Sequence, residues 1–335
     1  MTPLATRTLD AKGLLPLYTG TGSVPAGHTS LSRNKENGHY LADDRLRDAV
    51  RTAIALEKPL LVTGEPGTGK TALAWSIASE LGLGEPLSFF TRSDSRANDI
   101  LYNFDHVLRF YEAQTNNPRA ADPRNYIQLA ALGRAIVSAD TEHQEAAEWR
   151  KQAGGDGTAG RRVVLIDEVD KAPRDFPNDL LDEIDSMQFR IKEIPGLLFR
   201  AKYRPLIVIT NNSERQLPDA FLRRCVFHYI DFPQEKELRT ILLERIGANT
   251  SGRLIDGCVR HFRTLRQMGE RKELEKAPAT AELESWLRVL LMAGVPAEQI
   301  EKSELSELPH LSAIIKTQRD LERVRRKLTA SVTQR

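Results

Sequence analysis

GEPGTGKT, residues 64–71, follows the apolar run PLLVT (59–63) and precedes ALAWSIASEL (72–81). The spacing Gly64-x-x-x-x-Gly69-Lys70-Thr71 describes a strand ending in a glycine-rich turn whose backbone N–H groups wrap a phosphate at the N-terminus of the next helix. Gly64, Gly67 and Gly69 permit positive φ and close backbone approach, Pro66 stiffens the turn, and Glu65 and Thr68 complete the loop. In such a loop Lys70 reaches the β and γ phosphates of a nucleoside triphosphate, and Thr71 offers its hydroxyl to Mg²⁺. The flanks agree with this reading. Residues 59–63 form a buried-strand pattern, and Ala72, Ile77 and Leu81 give the next segment a helical stripe.

A chain of 335 residues has room for one large core or two modest ones. Its composition, 40% hydrophobic and 28% charged, is that of an ordinary soluble chain. No apolar stretch approaches the ~18 residues of a membrane span. MTPLATRTLDAKGLL (1–15) lacks the continuous apolar centre of a signal peptide. A cytoplasmic protein with no membrane insertion is therefore expected. Cys225 and Cys258 make no metal-spaced cluster and read as buried thiols. The net charge of +2 offers no bulk electrostatic case for nucleic acid, although a local basic groove stays open.

Residues 1–40, rich in Gly, Ser, Asn and Pro, read as an extended N-terminal arm. Residues 41–232 alternate buried strands with helices, the pattern of an α/β sandwich on a parallel sheet. Residues 233–335 read as mostly helical, with stripes at Leu238, Ile241, Leu242 and Ile246, then Ile314, Ile315, Leu321, Val324 and Leu328.

A phosphate loop alone does not separate a kinase, a GTPase, a helicase and a remodelling motor, so the deciding residues lie on later strands. In RRVVLIDEVDKAP (161–173) a β-branched and aliphatic run delivers Asp167 and Glu168 to the C-terminal end of a central strand, where open α/β sheets hold ligands. Asp167 suits Mg²⁺, and Glu168 suits the orientation and activation of a water, which points to hydrolysis. A second buried strand, 206–210, ends in Asn211 and Asn212, whose amides suit a water or the γ-phosphate, although asparagines also favour turns. LPDAFLRRC (217–225) forms a short helix ending in Arg223 and Arg224. Such a pair is either a solvated face or a source of positive charge for a phosphoryl group, in its own chain or a neighbour's.

GEPGTGKT and VVLIDEVDKAP resemble the Walker A and Walker B segments of the AAA+ ATPases, and within them the MoxR-like group. KAPRDFPNDLLDEIDSMQFRI (171–191) and FRIKEIPGLLFRAKYRPLIVITNN (189–212) are similar to that family's helix and pre-sensor 1 hairpin, which here turns at Pro195 and Gly196 and runs into the sensor 1 strand. The resemblance covers residues 41–233. It implies Asn212, with Asn211 as the alternative, as sensor 1, Arg224 with Arg223 beside it as the arginine finger, and residues 233–335 as a helical lid. In that lid TQRDLERV (317–324) nominates Arg319 as sensor 2, with Lys316 as the other choice. It further implies ATP with Mg²⁺, assembly of the chain with itself into a ring, in this family a hexamer, and remodelling or maturation of a client protein. A protein bearing a von Willebrand A domain is a partner on the same ground.

One departure is the long segment 91–160. There NFDHVLRFYEAQ (103–114) puts Phe104, Val107, Leu108 and Tyr111 on one helical face, and QAGGDGTAG (152–160) reads as a flexible run. The helix either packs into a core or meets a substrate or partner. Other readings are a nucleic-acid-directed motor, a GTP-using relative of restriction systems, and a scaffold that binds nucleotide without turnover. NKEN (34–37) precedes the phosphate loop and ends in Asn, which argues against a GTPase base-reading motif, and the set Lys70, Asp167 and Glu168 argues against the scaffold.

Overall fold

The structure is a computed structural model that describes residues 17–21, 40, 42–154, 157–213, 215–247 and 250–332. Of the arm expected over 1–40, only 17–21 and Tyr40 lie among these, and residues 155–156 of the glycine-rich run lie outside them. In chain order the elements are α1 (Asp44–Leu56), β1 (Leu60–Gly64), α2 (Lys70–Glu80), β2 (Leu87–Phe90), β3 (Tyr102–Phe104), α3 (His106–Gln114), β4 (Ile127–Leu129) and α4 (Ala131–Ala139). Next come α5 (Ala146–Gln152), β5 (Val163–Asp167), α6 (Phe176–Ser186), β6 (Gln188–Arg190), β7 (Leu198–Arg200), β8 (Leu206–Asn211), α7 (Asp219–Arg224) and β9 (Val226–Ile230). Six helices follow: α8 (Glu235–Ile246), α9 (Gly252–Glu270), α10 (Thr280–Met292), α11 (Ala297–Lys302), α12 (Leu311–Ile314) and α13 (Gln318–Val332). The chain divides into an α/β unit, which includes 42–64 and Gly69–Ile230, and a helical unit from Asp231 onward, with which Glu65–Thr68 cluster.

The α/β unit is built on a five-stranded sheet in the order β2-β5-β8-β1-β9, with every neighbour pair parallel. Side chains alternate across a strand, so a sheet covered on both faces needs an unbroken apolar run. Leu61, Val164, Ile166, Ile207 and Ile209 enter one core with Leu132 and Ile136 of α4 and Phe176 and Leu180 of α6. The intervening Leu60, Val62, Val163, Leu165, Leu206 and Val208 enter a second core with Val50 and Ile54 of α1 and Leu73 and Ile77 of α2. This three-layer α/β fold is the one the sequence implies. The connection leaving β1 runs to the far edge strand β2, while β8 is followed by β9 on the other side of β1, so the chain reverses direction across the sheet beside β1. Open α/β sheets place ligands at the carboxyl ends of strands at such a reversal.

The described part of the arm is tied down. Tyr18 is fully buried with its hydroxyl 3.0 Å from Ser76 Oγ. Thr19 N and Gly20 N donate to Glu80 Oε2 at 2.8 and 3.1 Å, and Arg51 donates to the Tyr18 carbonyl at 2.9 Å. Residues 17–21 thus brace the helix that follows the phosphate loop.

The segment 91–160 contributes the β3–β4 hairpin with α3 between its strands. No residue of α3 is buried, and Val107, Phe110 and Tyr111 are exposed, so the core-packing alternative for this helix does not hold. Asp105 caps it, accepting from Leu108 N at 2.8 Å. The second hairpin, β6–β7, turns through Gly196 at φ 87° and joins the first through Tyr102, whose hydroxyl donates to Glu193 Oε2 and accepts from Lys192 N, each at 3.0 Å.

The helical unit has its own core, centred on Trp286 with Phe262, Leu242, Leu287, Ile300 and Ile314. Trp286 Nε1 satisfies its donor on the Pro309 carbonyl at 2.9 Å.

Gly133 in the middle of α4 allows the tightest backbone approach among the described glycines. A Cβ built there would lie 1.9 Å from the Leu101 carbonyl oxygen. An alanine in place of a mid-helix glycine ordinarily stabilises by roughly 0.5–1 kcal/mol. Gly133→Ala is expected to do the reverse, destabilising by about 1–3 kcal/mol through overpacking. Chemical denaturation checks the sign.

Candidate nucleotide site

Gly67 and Gly69 adopt φ 81° and 90°, a region an L-residue resists. Gly69 N-caps α2 with no side-chain cap, so the helix presents its first-turn N–H groups in the manner of an anion site. Within the loop, Thr68 Oγ1 donates to the Glu65 carbonyl at 2.9 Å. Lys70 is 6% exposed and its Nζ donates to the Gly64 carbonyl at 2.8 Å, which holds the cation beside the loop it serves.

The parallel registers of β5, β8 and β1 bring the other predicted residues to the same edge. Thr71 Oγ1 lies 3.1 and 3.2 Å from the two carboxylate oxygens of Asp167. A hydroxyl facing a buried carboxylate is a hard-oxygen pair suited to Mg²⁺, which keeps several of its own waters, so the residues present fit that ion. Among the described residues no group of three or more His, Cys, Asp or Glu forms a metal cluster.

Two threonines that no motif singled out hold the acids. Thr210, fully buried, donates to Asp167 Oδ1 at 2.6 Å and accepts from Glu168 N at 2.8 Å. Thr91 Oγ1 donates to the Asp167 carbonyl at 3.0 Å and also to that of Glu168. The available signal was position, since each is a small hydroxyl residue at the C-terminal end of a strand pattern.

Glu168 sits in the left-handed region at φ 58°, ψ 52°, a conformation a non-glycine residue keeps only where its surroundings hold it. Its Oε2 accepts from Lys171 Nζ at 2.5 Å and its Oε1 from Asn212 Nδ2 at 3.1 Å. The Lys171 hydrogen bond, helped by Asn212 and the Lys70 charge and opposed by desolvation, holds the carboxyl below its ordinary range. Asn212 is thus the asparagine that reaches the second acid. Asn211 Oδ1 instead accepts from Ser213 N at 2.9 Å, a local turn contact.

Other candidates stand elsewhere. Arg223 and Arg224 end α7 and are exposed, and Arg224 Nε is 3.5 Å from Asp185 Oδ2 on α6. In the helical unit Arg319 is exposed and pairs with Glu275 at 3.3 Å, while Lys316 Nζ donates to the Ala313 carbonyl at 2.7 Å. Arg266 of the same unit is only 8% exposed, and its guanidinium carbon lies 3.4 Å from the Phe232 ring centroid. It donates to the Pro278 carbonyl at 2.9 Å and to Glu65 Oε2 at 2.7 Å. No sequence motif pointed to it. Burial pushes the thiols of Cys225 and Cys258 up to about 12, which keeps both protonated at neutral pH.

The model of the ATPase family associated with various cellular activities (AAA) matches residues 60–233, more than half the chain. The chain belongs to the AAA family. Its matched region spans the phosphate loop, the Asp167–Glu168 strand, the Asn211–Asn212 strand and α7, so this AAA domain carries the nucleotide-dependent ATPase character of the family. Among solved structures it is similar to the FIGL-1 AAA domain in complex with ADP, at 12% identity and TM-score 0.42, covering 92% of this chain and 93% of that one. No curated protein matches.

Lys70→Ala removes the cation aimed at the β and γ phosphates and is expected to abolish nucleotide binding, as read by fluorescent ATP titration. Thr210→Val keeps the shape but leaves Asp167 Oδ1 and Glu168 N each short of one partner. A stability loss of about 1–3 kcal/mol is expected, together with a higher Mg²⁺ requirement for nucleotide binding. Thermal melts and Mg²⁺ titrations measure the two effects separately.

Proposed function

We propose that this AAA-family chain is a MoxR-like, Mg-ATP-hydrolysing motor. In this reading it assembles as a ring, a hexamer by resemblance, and couples turnover to remodelling or maturation of a client protein in the cytoplasm. The observation that carries the ATP-hydrolysis part is the convergence of Lys70, Thr71, Asp167, Glu168 and Asn212 on the C-terminal ends of β1, β5 and β8. The loop N–H groups and Lys70 bind the triphosphate, while Thr71 and Asp167 hold the ion. Bound Mg²⁺ supplies charge neutralisation on the phosphate oxygens. Glu168 takes the proton of the attacking water, and Asn212 orients that carboxylate. The subfamily, the client and a von Willebrand A domain partner rest on the motif resemblance, and a substrate or partner contact is the remaining reading of the segment that contains α3. The exposed apolar side of α3 suits that role.

Glu168→Gln keeps the shape and the metal residues but loses the base. It is expected to bind Mg-ATP as the wild type does and to lose about 10²–10⁴ in turnover. Wild-type turnover in this variant would move the water-activating role elsewhere.

The ring rests on Arg224, which is exposed at the end of α7 and pairs there with Asp185. If it completes a neighbour's site, Lys70→Ala and Arg224→Ala are each inactive alone and regain activity when mixed. About a quarter of the interfaces in a randomly mixed ring then pair an intact loop with an intact finger. Mixing titrations followed by sedimentation test this, and a fully active, concentration-independent monomer would sink the ring.

A further inference from the structure

The parallel strands that carry the nucleotide residues at their C-terminal ends border a cavity at their N-terminal ends. It measures about 370 Å³ with its open mouth and lies between the starts of β1 and β8 and the helices α1 and α2. Its walls are apolar and buried: Val50 and Ile54 of α1, Ile77 of α2, and Leu60 and Val208 of the sheet are each at most 6% exposed. The ionisable groups that line it are Glu57, Lys58, Arg161 and Arg204, so cations outnumber acids. Arg161 is 3% exposed, and its Nη2 donates to Glu57 Oε1 at a long 3.3 Å. Glu57 is the left-handed C-cap of α1, and its side chain is 43% exposed, so the acid meets the buried guanidinium from the solvent side. Arg204 is fixed in place by backbone carbonyls, donating to those of Glu57 at 3.4 Å, Ile184 at 3.2 Å and Asp185 at 2.6 Å.

We propose that this cavity is a second ligand site, which takes a short aliphatic carboxylate of about four or five carbons. The ligand's carboxylate replaces Glu57 on Arg161, and its alkyl part lies against the walls built by α1, β1 and β8. The excess of cations at the rim selects a negative head, because a guanidinium binds a carboxylate through charge-assisted hydrogen bonds. The apolar walls select a body that gives up its contact with water, which acetate barely has. An alcohol of the same shape fills the walls but offers the guanidinium no charge. None of the lining residues belongs to the phosphate loop, so binding here needs neither nucleotide nor assembly.

The test is calorimetric titration and a thermal melt of the full chain with isovalerate, acetate or 3-methyl-1-butanol at matched ionic strength. Isovalerate is expected to bind with a Kd on the order of 1 mM, and at ten times that concentration to raise the melting temperature by roughly 3–6 °C. Acetate, which lacks the body, and the alcohol, which lacks the charge, are each expected to bind at least about tenfold more weakly. Lys70→Ala is expected to keep the isovalerate shift, which separates this site from the phosphate loop. Ala53 lines the cavity, and Ala53→Leu fills it with Arg161 intact, so binding is expected to disappear while circular dichroism shows the fold retained. Glu57→Gln removes the competing acid from the exposed side and is expected to tighten isovalerate roughly twofold to fivefold. The site is overturned by the absence of isovalerate binding, by equal binding of the alcohol, by a shift lost in Lys70→Ala, or by binding that survives in folded Ala53→Leu. Should Ala53→Leu fail to fold, Glu57→Gln decides alone, and an affinity unchanged or weaker there overturns the site.

Discussion

Burying a parallel sheet on both faces forces the functional residues of this protein to one edge. Every side chain of β1, β5 and β8 up to the last residue or two is apolar and enters one of two cores, so polar chemistry is excluded from the strand interiors. It reappears where each strand leaves the layers, at Gly64, at Asp167 and at Thr210 and Asn211. The parallel register aligns those exits. A phosphate loop at the end of one strand therefore finds a carboxylate and a polar amide at the ends of its neighbours without any loop having to reach across the sheet.

At that edge the polar groups hold one another in place. Thr210 orients Asp167 by donating to it and Glu168 by accepting from its N–H, so one buried hydroxyl sets both the Asp167 carboxylate and the backbone of Glu168. Glu168 keeps a left-handed backbone because this contact, the Thr91 bond to its carbonyl and the 3-10 turn after it determine its conformation together. The consequence is a carboxylate that leaves the strand direction and lies between Lys171 and Asn212.

The insertions obey the same economy. The β3–β4 and β6–β7 hairpins are each too short to be stable alone. Tyr102 links them by two hydrogen bonds, and its ring stacks on Phe189, so they share one support. α3 rides on this support with its apolar side outward, held by its Asp105 cap and by Tyr126, whose hydroxyl bonds Glu112, rather than by burial of its own face.

The amino-acid sequence by itself determined the layer architecture and the membership of the phosphate loop. Unbroken apolar runs at 60–62, 163–166 and 206–209, rich in β-branched and aliphatic residues and bounded by turn residues, read as strands covered on both faces, and Gly67, Gly69, Lys70 and Thr71 carry their chemistry in residue type and spacing. Asp167 and Glu168 were legible for the same reason, as two acids at a strand end. Tertiary structure decided what depends on neighbours distant in the chain. Thr91, Thr210, Lys171 and Arg266 are ordinary residues in sequence, and their roles come from partners 76, 43, 3 and 201 positions away. Of these only Lys171 acts locally, and its target is known only once Glu168 has turned into the left-handed region. Which of the two asparagines reaches Glu168 was likewise visible only in the fold, where the Asn212 amide faces that carboxylate and Asn211 makes a local turn contact. The exposure of α3 followed from the absence of any apolar layer against it, although its helical stripe was equally suited to a core. A one-dimensional pattern records which face of a helix is apolar, and only the packed fold supplies or withholds the surface that would cover it.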